Sequence, residues 1–194
     1  MDQMILLVCL PMLVCVSCAS PGYRIQAPPP TSLSADRCPS KHTKVFLESV
    51  GDLRQKDDPA QIGIVHVGLM NLPTPVLLEP IPKITLATEI RNALQSCGML
   101  APAADTFDVA RIALRNWTIE EDIGLISEEM TVRLKYTATL TTQTDRKVNS
   151  REIAAEVKKS GLDTTHYAQE LNRNVLAQST AKLLKFIEEV GSRE

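Results

Sequence analysis

The sequence predicts an α+β fold, with an antiparallel sheet of about four to five strands and two helices packed on one face. Over residues 130–141, apolar side chains alternate without a break with Thr, Arg and Lys. This alternation indicates a strand with one buried and one solvated face. Over residues 84–97 and 165–190, apolar residues recur every three or four positions, as in amphipathic helices. Strands, a helix, further strands and a second helix follow one another, an order typical of α+β domains.

Two strands are predicted before the first helix. Residues 44–50 are rich in apolar residues and end at Gly51 and Asp52, and residues 62–67 form a second β-branched run. The polar stretch between these two runs predicts a loop. Residues 72–83 contain four prolines, which predict irregular or edge structure because proline cannot donate to a sheet.

The second half of the chain begins with the helix over residues 84–97, for which Gly98 is the expected left-handed cap. A strand follows over residues 107–119. Its alternation slips between Val109 and Ala110 and again near Asn116, so we predict a bulge at each place. After the alternating strand, residues 143–147 predict a turn, 153–157 a returning strand, and 165–190 the long terminal helix, ended by Gly191.

Composition excludes some classes of function. Hydrophobic residues make up 44% of the 194 residues, enough for one buried core, and the net charge is −2. We expect no nucleic-acid partner, because such binding needs clustered excess Lys and Arg. Beyond residue 18, the sequence contains no Gly-rich phosphate loop, nucleophile elbow or Cys-x-x-Cys motif, and its three histidines lack metal-ligand spacing. We therefore expect a non-enzymatic protein without a metal or other cofactor.

The N-terminus predicts export. Residues 4–16 are apolar and uncharged, but a bilayer-spanning helix needs about 20 apolar residues, so this run better fits the core of a signal peptide. Directly after the run, residues 15–18 read Cys-Val-Ser-Cys. We assign residues 1–17 as the signal peptide. Residues 1–3 lack the Lys or Arg usual in export signals, and an ordinary secretory signal cut after Ala19 or an uncleaved anchor stays open.

The motif at residues 15–18 resembles the lipobox of bacterial lipoprotein precursors. The resemblance implies that the Cys18 thiol receives a covalent diacylglycerol, that cleavage leaves Cys18 as the first residue, and that an acyl chain is added. More than one acyl chain anchors a protein stably to a membrane. Ala19, following the cysteine, resembles the sorting signal of lipoproteins on the periplasmic face of the outer membrane.

A proline-rich stretch follows the lipidated cysteine. We predict a tether over residues 18–43 and a single periplasmic domain over residues 44–194. At about 3.1 Å per residue, an extended tether would reach roughly 75 Å. After cleavage Cys38 and Cys97 are the remaining free thiols, in an oxidising compartment. A disulfide between them and a buried, unpaired Cys97 are both open interpretations.

Within residues 50–190, short segments carry a resemblance to a known family. They are Val50-Gly51-Asp52-Leu53-Arg54, then Ile62-Gly63 after a loop, then Ile90-Arg91-Asn92-Ala93-Leu94 leading into Gly98, and a terminal helix containing Asn174, Leu183 and Leu184. Together with the hairpin formed by the alternating strand over residues 130–141 and the returning strand over 153–157, these segments resemble the YajG-like family of bacterial outer-membrane lipoproteins. The resemblance implies a lipoprotein with a periplasmic domain and brings no catalytic residues.

Four charged residues are the candidates for binding a partner. Asp52 and Arg54 flank Leu53 directly after a strand. Three interpretations are open: the two side chains form a bidentate ion pair, Asp52 stabilises a turn through an Asx interaction, or either side chain contacts a partner. Arg133 and Lys135 lie on the wet face of the alternating strand, which is either solvated or a docking surface.

These observations predict a membrane-anchored accessory or assembly factor that binds another envelope protein. The alternative is a carrier of a lipid or small apolar ligand, held in a gap between the sheet and its helices.

Overall fold

The computed structural model describes residues 22–29, 38–39, 43–67, 72–124, 127–161 and 165–192. The predicted signal peptide and Cys18 lie outside these residues. A short 3-10 turn, Thr165–Tyr167, precedes the last helix. The strands and helices are β1 Tyr23–Gln26, β2 Val45–Asp52, β3 Gln61–Val67, β4 Leu72–Glu79, α1 Pro82–Ser96, β5 Asp108–Ile123, β6 Glu128–Thr141, β7 Val148–Gly161 and α2 Ala168–Gly191.

The predicted α+β class is confirmed, but the sheet is larger than predicted and mixed. The sequence predicts four to five antiparallel strands, whereas the described residues form one seven-stranded sheet. Its order is β1-β4-β3-β5-β6-β7, with β2 also paired to β5. The β1–β4, β2–β5 and β3–β5 pairs are parallel, and the three hairpin pairs are antiparallel. A parallel pair joins distant segments through a long crossover, so no local turn signal announces it.

Strands β2 and β3 lie one after the other along the same edge of β5. β2 pairs with β5 from Val45, opposite Asp108, to Asp52, opposite Leu114. The chain then leaves the sheet over residues 53–60 and returns, so that Gly63 lies opposite Ile119. The predicted loop thus separates two strands that pair in parallel with the same side of β5.

Strand β1 lies inside the stretch predicted as a tether. Tyr23–Gln26 pairs with β4, Ile25 is buried in the core, and the Ala27 N–H donates to the Glu79 carbonyl at 2.7 Å. The prediction of an extended tether over residues 18–43 is wrong at these positions, because they belong to the sheet. Four residues with a single buried side chain are too few to show a period of two.

Most of the segment for which the prolines predict irregular or edge structure forms strand β4, and its first residues, up to Pro75, have no β1 partner. The Glu79 carbonyl faces β1 and the Leu78 N–H donates to Ala60 on the β3 side, so odd-numbered residues of β4 face β1. Pro73 and Pro75 therefore point their ring nitrogens toward β1, which begins only opposite Val76. The prolines remove no hydrogen bond from the ladder, which is why a strand tolerates them.

Both helices pack on one face of the sheet, as predicted. They share a continuous aliphatic core with the inward side chains of the strands. The Trp117 indole N–H donates to Asn172 Oδ1 at 2.9 Å, and the Tyr136 hydroxyl donates to the Ser179 carbonyl at 3.0 Å. Burial raises the pKa of Tyr136, so its hydroxyl remains a donor. These two hydrogen bonds fix α2 over β5 and β6.

Details of α1 and β5 test further predictions. Gly98 has φ +64°, which confirms the left-handed cap after α1. The bulge near Asn116 is confirmed by a register shift between Leu114 and Asn116. The prediction of a second bulge, between Val109 and Ala110, is wrong. Asp108 occupies the preceding inward position, where its carboxylate accepts the Gln143 N–H at 2.9 Å, and the alternation is regular from there.

Cys38 and Cys97 form a disulfide, with their Cα atoms 5.4 Å apart. Of the two interpretations left open by the sequence, the structure contains the crosslink. It fastens the segment after β1 to the end of α1. No helix among the described residues combines the length and hydropathy needed to cross a membrane.

Candidate partner-binding edge

Strand β7 forms a long edge of the sheet. It pairs with β6 through all 14 of its residues, and no other strand within the described ranges pairs with its opposite side. Typical strands have about 5–6 residues. An edge strand presents a row of backbone N–H and C=O groups to which another chain can add.

A groove of about 460 Å³ lies between this edge and α2. Residues 156–159 of β7 form one wall, and Glu170, Asn174 and Gln178 are among the residues of the α2 wall. Lys159 crosses the groove to form an ion pair with Glu170 at 2.7 Å. Val157, Leu171 and Ala177 also line it, so the groove combines apolar side chains with charges of both signs.

The backbone of β7 faces this groove at every second residue. Lys182 Nζ of α2 donates to the Ala154 carbonyl at 2.6 Å, so the polar backbone atoms of Ala154 point away from β6. In an antiparallel pair the two polar groups of one residue point to the same side, and the side alternates. The N–H and C=O of Glu156 and Lys158 consequently point toward the groove.

Arg133 and Lys135, predicted as partner-binding residues, belong to ion pairs across the solvated face. Arg133 bridges Glu120 of β5 and Glu156 of β7, with Arg133 Nε 2.7 Å from Glu156 Oε2. Lys135 pairs with Glu152 of β7 at 2.8 Å. The hydrogen bond from Arg133 lowers the pKa of Glu156. Such exposed pairs contribute little to stability, and they join the carboxylates of Glu152 and Glu156 to side chains of β6.

Asp52 and Arg54 form a clasp within the chain, in which both predicted intramolecular geometries occur. The Arg54 N–H donates to Asp52 Oδ1 at 3.1 Å, as in an Asx turn, and Nε and Nη2 donate to the two carboxylate oxygens at 2.9 and 2.7 Å. Arg54 also donates to the carbonyls of Pro59 and Gln61, which closes the loop over residues 53–60.

The burial of the clasp indicates that it stabilises the loop over residues 53–60 rather than binding a partner. The Arg54 side chain is only 3% exposed. Burial acts to raise the pKa of Asp52, but the hydrogen bonds and charge of Arg54 outweigh it and the pKa lies below its ordinary value. The clasp lies on the opposite side of β5 from β6 and β7, so the structure does not bring the four predicted residues together.

Sequence reasoning missed the β7 edge as a site. The segment carries a signal, because Arg151, Glu152, Glu156, Lys158 and Lys159 place charges along one strand. Charged side chains on a strand commonly protect an open edge from unselective pairing. Which strand lies at the edge, however, depends on the order of the sheet.

A smaller cavity, of about 220 Å³, lies where the segment after β1 meets the helices. Pro28 and Pro29 face Thr85, the buried Glu89 and Leu176 across it. Cavities that hold small-molecule ligands usually have about 300–1,000 Å³. This cavity is below that range.

No family model and no curated protein matches the chain. Solved structures do resemble it. The fold is similar to that of a Xanthomonas campestris protein described as DUF330, with TM-score 0.60 and 16% identity over 89% of this chain and 95% of that one. An uncharacterized protein is similar with TM-score 0.51 and 15% identity, over 87% and 97% of the two chains. At these identities the likeness shows the fold alone.

A weaker likeness is to the minor lipoprotein from Acinetobacter baumannii, with TM-score 0.42 and 14% identity over 78% and 94% of the two chains. Nothing about the function of this chain follows from a likeness at that level. The resemblance to the YajG-like family stays a prediction.

Proposed function

We propose that this chain is a lipid-anchored bacterial envelope lipoprotein whose domain binds another envelope protein by strand addition to β7. It acts as a non-enzymatic accessory or assembly factor on the periplasmic face of the outer membrane. The observation that carries the binding role is the long open edge of β7 beside a groove. The lipobox-like motif ending at Cys18 carries the anchoring role.

Strand addition matches the chemistry of the groove. An extended segment of the partner would exchange hydrogen bonds with the backbone of Glu156 and Lys158, which supplies affinity without a particular sequence. Glu156, Lys158 and Lys159 would select a segment with complementary charges, since complementary charges favour the correct register and partner.

The edge is tested by replacing Glu156 with proline. Glu156→Pro removes an N–H that points into the groove and keeps the β6 ladder intact, because proline is tolerated at sheet edges. In the assay, a photo-crosslinking amino acid replaces Asn174, which lines the groove, and the protein is irradiated in native membranes. We expect one discrete adduct between this protein and its partner. Glu156→Pro should reduce its yield about tenfold, through the lost hydrogen bond and the bulk of the ring.

Glu156→Ala is the matched control, because it removes the same carboxylate but retains the N–H, and should leave most of the adduct. If Glu156→Pro leaves the adduct unchanged, or if both variants abolish it equally, binding does not use the strand edge.

The anchor is tested at Cys18. We expect the N-terminal peptide of the mature protein to begin at Cys18 and to carry the mass of a diacylglycerol and an acyl chain. Cys18→Ser should move the protein from the membrane to the soluble fraction, because the acyl chains supply the anchoring free energy. Cys9→Ser is the matched control, because Cys9 lies outside the motif at residues 15–18, and it should leave the protein at the membrane. An unmodified peptide beginning at Ser20 would show ordinary secretion instead.

The alternative function, a carrier of an apolar ligand, has less support. It needs a chamber between the sheet and the helices. The 220 Å³ cavity beside Glu89 is small for such a ligand and holds a buried carboxyl group.

A further inference from the structure

Two hairpins of the sheet turn at the same end, which we call the hairpin end. β3 stops at Val67 and β4 starts at Leu72, while β5 stops at Ile123 and β6 starts at Glu128. Because β3 is parallel to β5 with Gly63 opposite Ile119, Val67 and Ile123 lie at one level along the sheet. Since β1 is parallel to β4, the N-terminal chain enters the domain from this end.

The distance from the proposed lipid to β1 is short. Tyr23 lies opposite Val76, four residues along β4 from Leu72, which places it about 13 Å from the hairpin end. Cys18 precedes Tyr23 by five residues, which span at most about 18 Å when fully extended. Cys18 can therefore extend only about 5 Å beyond the hairpin end. The reach of roughly 75 Å predicted for a free tether is not available to the domain, because β1 is already part of the sheet.

The hairpin end exposes apolar side chains. Leu72 is 55% exposed, and Val67 and Ile123 are each 38% exposed. Single exposed apolar residues are common on protein surfaces, but these three share the end that the lipid must hold near the bilayer. Their burial at the boundary between headgroups and acyl chains would add favourable apolar contact to the anchor.

The charges at the hairpin end indicate which lipid headgroups it would contact. Glu120, Glu121, Asp122, Glu128 and Glu129 lie on the last residues of β5 and the first of β6. Arg133 pairs with Glu120, His66 lies 3.3 Å from Glu121, and Lys158 pairs with Glu129 at 3.1 Å, so carboxylates outnumber the lysine and arginine side chains that face them. A surface with this excess of carboxylates gains nothing from anionic headgroups. We infer that the hairpin end, through Val67, Leu72 and Ile123, rests on zwitterionic phospholipid. This inference depends on the proposed anchor at Cys18.

The test uses the full lipidated protein in phosphatidylcholine vesicles, with or without brominated acyl chains, which quench nearby tryptophan. Trp117 is fully buried and gives a constant background. In the variant Leu72→Trp, bromolipid should reduce the added emission at least about twofold, because the residue lies at the acyl boundary. Val148→Trp is the matched control, since Val148 is 62% exposed and begins β7 at the opposite end. Its emission should not change.

Each remaining result overturns the inference in a distinguishable way. Equal quenching in both variants would show that the domain has no preferred orientation. No quenching in Leu72→Trp, with a lipidated N-terminal peptide confirmed by mass, would overturn the membrane contact and leave the anchor standing. An unlipidated peptide would overturn the anchor and the inference together. If Leu72→Trp fails to fold, as judged by urea unfolding, Ile123→Trp replaces it with the same expectations.

Discussion

Gly63→Ala should destabilise the domain by about 3 kcal/mol or more, at the upper end of what single substitutions do. Gly63 is the residue at which β3 meets β5, opposite Ile119. A Cβ at this position would overlap the Ile119 carbonyl oxygen and come within 3.0 Å of the Ile119 C and N atoms. Because these atoms belong to the backbone of a central strand, they cannot turn aside as a flexible side chain does. The two strands must separate, and β4 and β1 move with β3.

Gly51→Ala is the matched control. Gly51 also lies in a strand beside β5, but its added Cβ would have only the Ile112 carbonyl oxygen near it, at an ordinary 3.9 Å. We expect this variant to change the free energy of unfolding by less than about 1 kcal/mol. Urea unfolding followed by circular dichroism measures both variants. Equal midpoints for the two would contradict the close approach of β3 to β5.

Removing the disulfide should cost about 4 kcal/mol of unfolding free energy in the chain-entropy model. The crosslink joins Cys38 to Cys97, which are 59 positions apart, so it restricts a long loop of the unfolded chain. The double variant Cys38→Ala with Cys97→Ala removes it without leaving a reactive thiol. The packed core remains, so we expect a folded but less stable domain.

The measurement compares urea midpoints with and without a reductant. Reductant should bring the wild-type midpoint down to that of the double variant and leave the double variant unchanged. A double variant as stable as the oxidised wild type would show that the crosslink constrains little. A reductant effect on the double variant would point to another cause of the loss.

These two predictions concern how the segments before and after β2 are built into the sheet. β1 joins the N-terminal chain to β4, and the disulfide fastens the following segment to α1. The domain therefore sits close to its proposed lipid. With the proposed lipid at Cys18, this closeness would bring the open edge of β7 near the membrane, where we propose that a segment of another envelope protein adds to it.

Three of the elements that the sequence predicted correctly have a long local period. The alternation around Tyr136 predicted β6, the repeat ending at Gly98 predicted α1, and the apolar stripe containing Leu183 predicted α2. In each case, neighbours within a few residues decide which face is buried, so the sequence by itself determined the element.

The tertiary structure alone decided how these elements join. The parallel pairing of β1 with β4 and of β2 and β3 with β5, and the open edge at β7, involve residues far apart in the chain. The partners of Arg54 at Pro59 and Gln61 likewise follow from where the loop returns to the sheet. Burial of the whole core selects among such pairings, and that selection leaves no periodic mark on any one segment. The chain itself therefore determined the α+β class and the lipobox-like motif at Cys18, whereas the candidate binding edge and the proposed orientation of the domain required the fold.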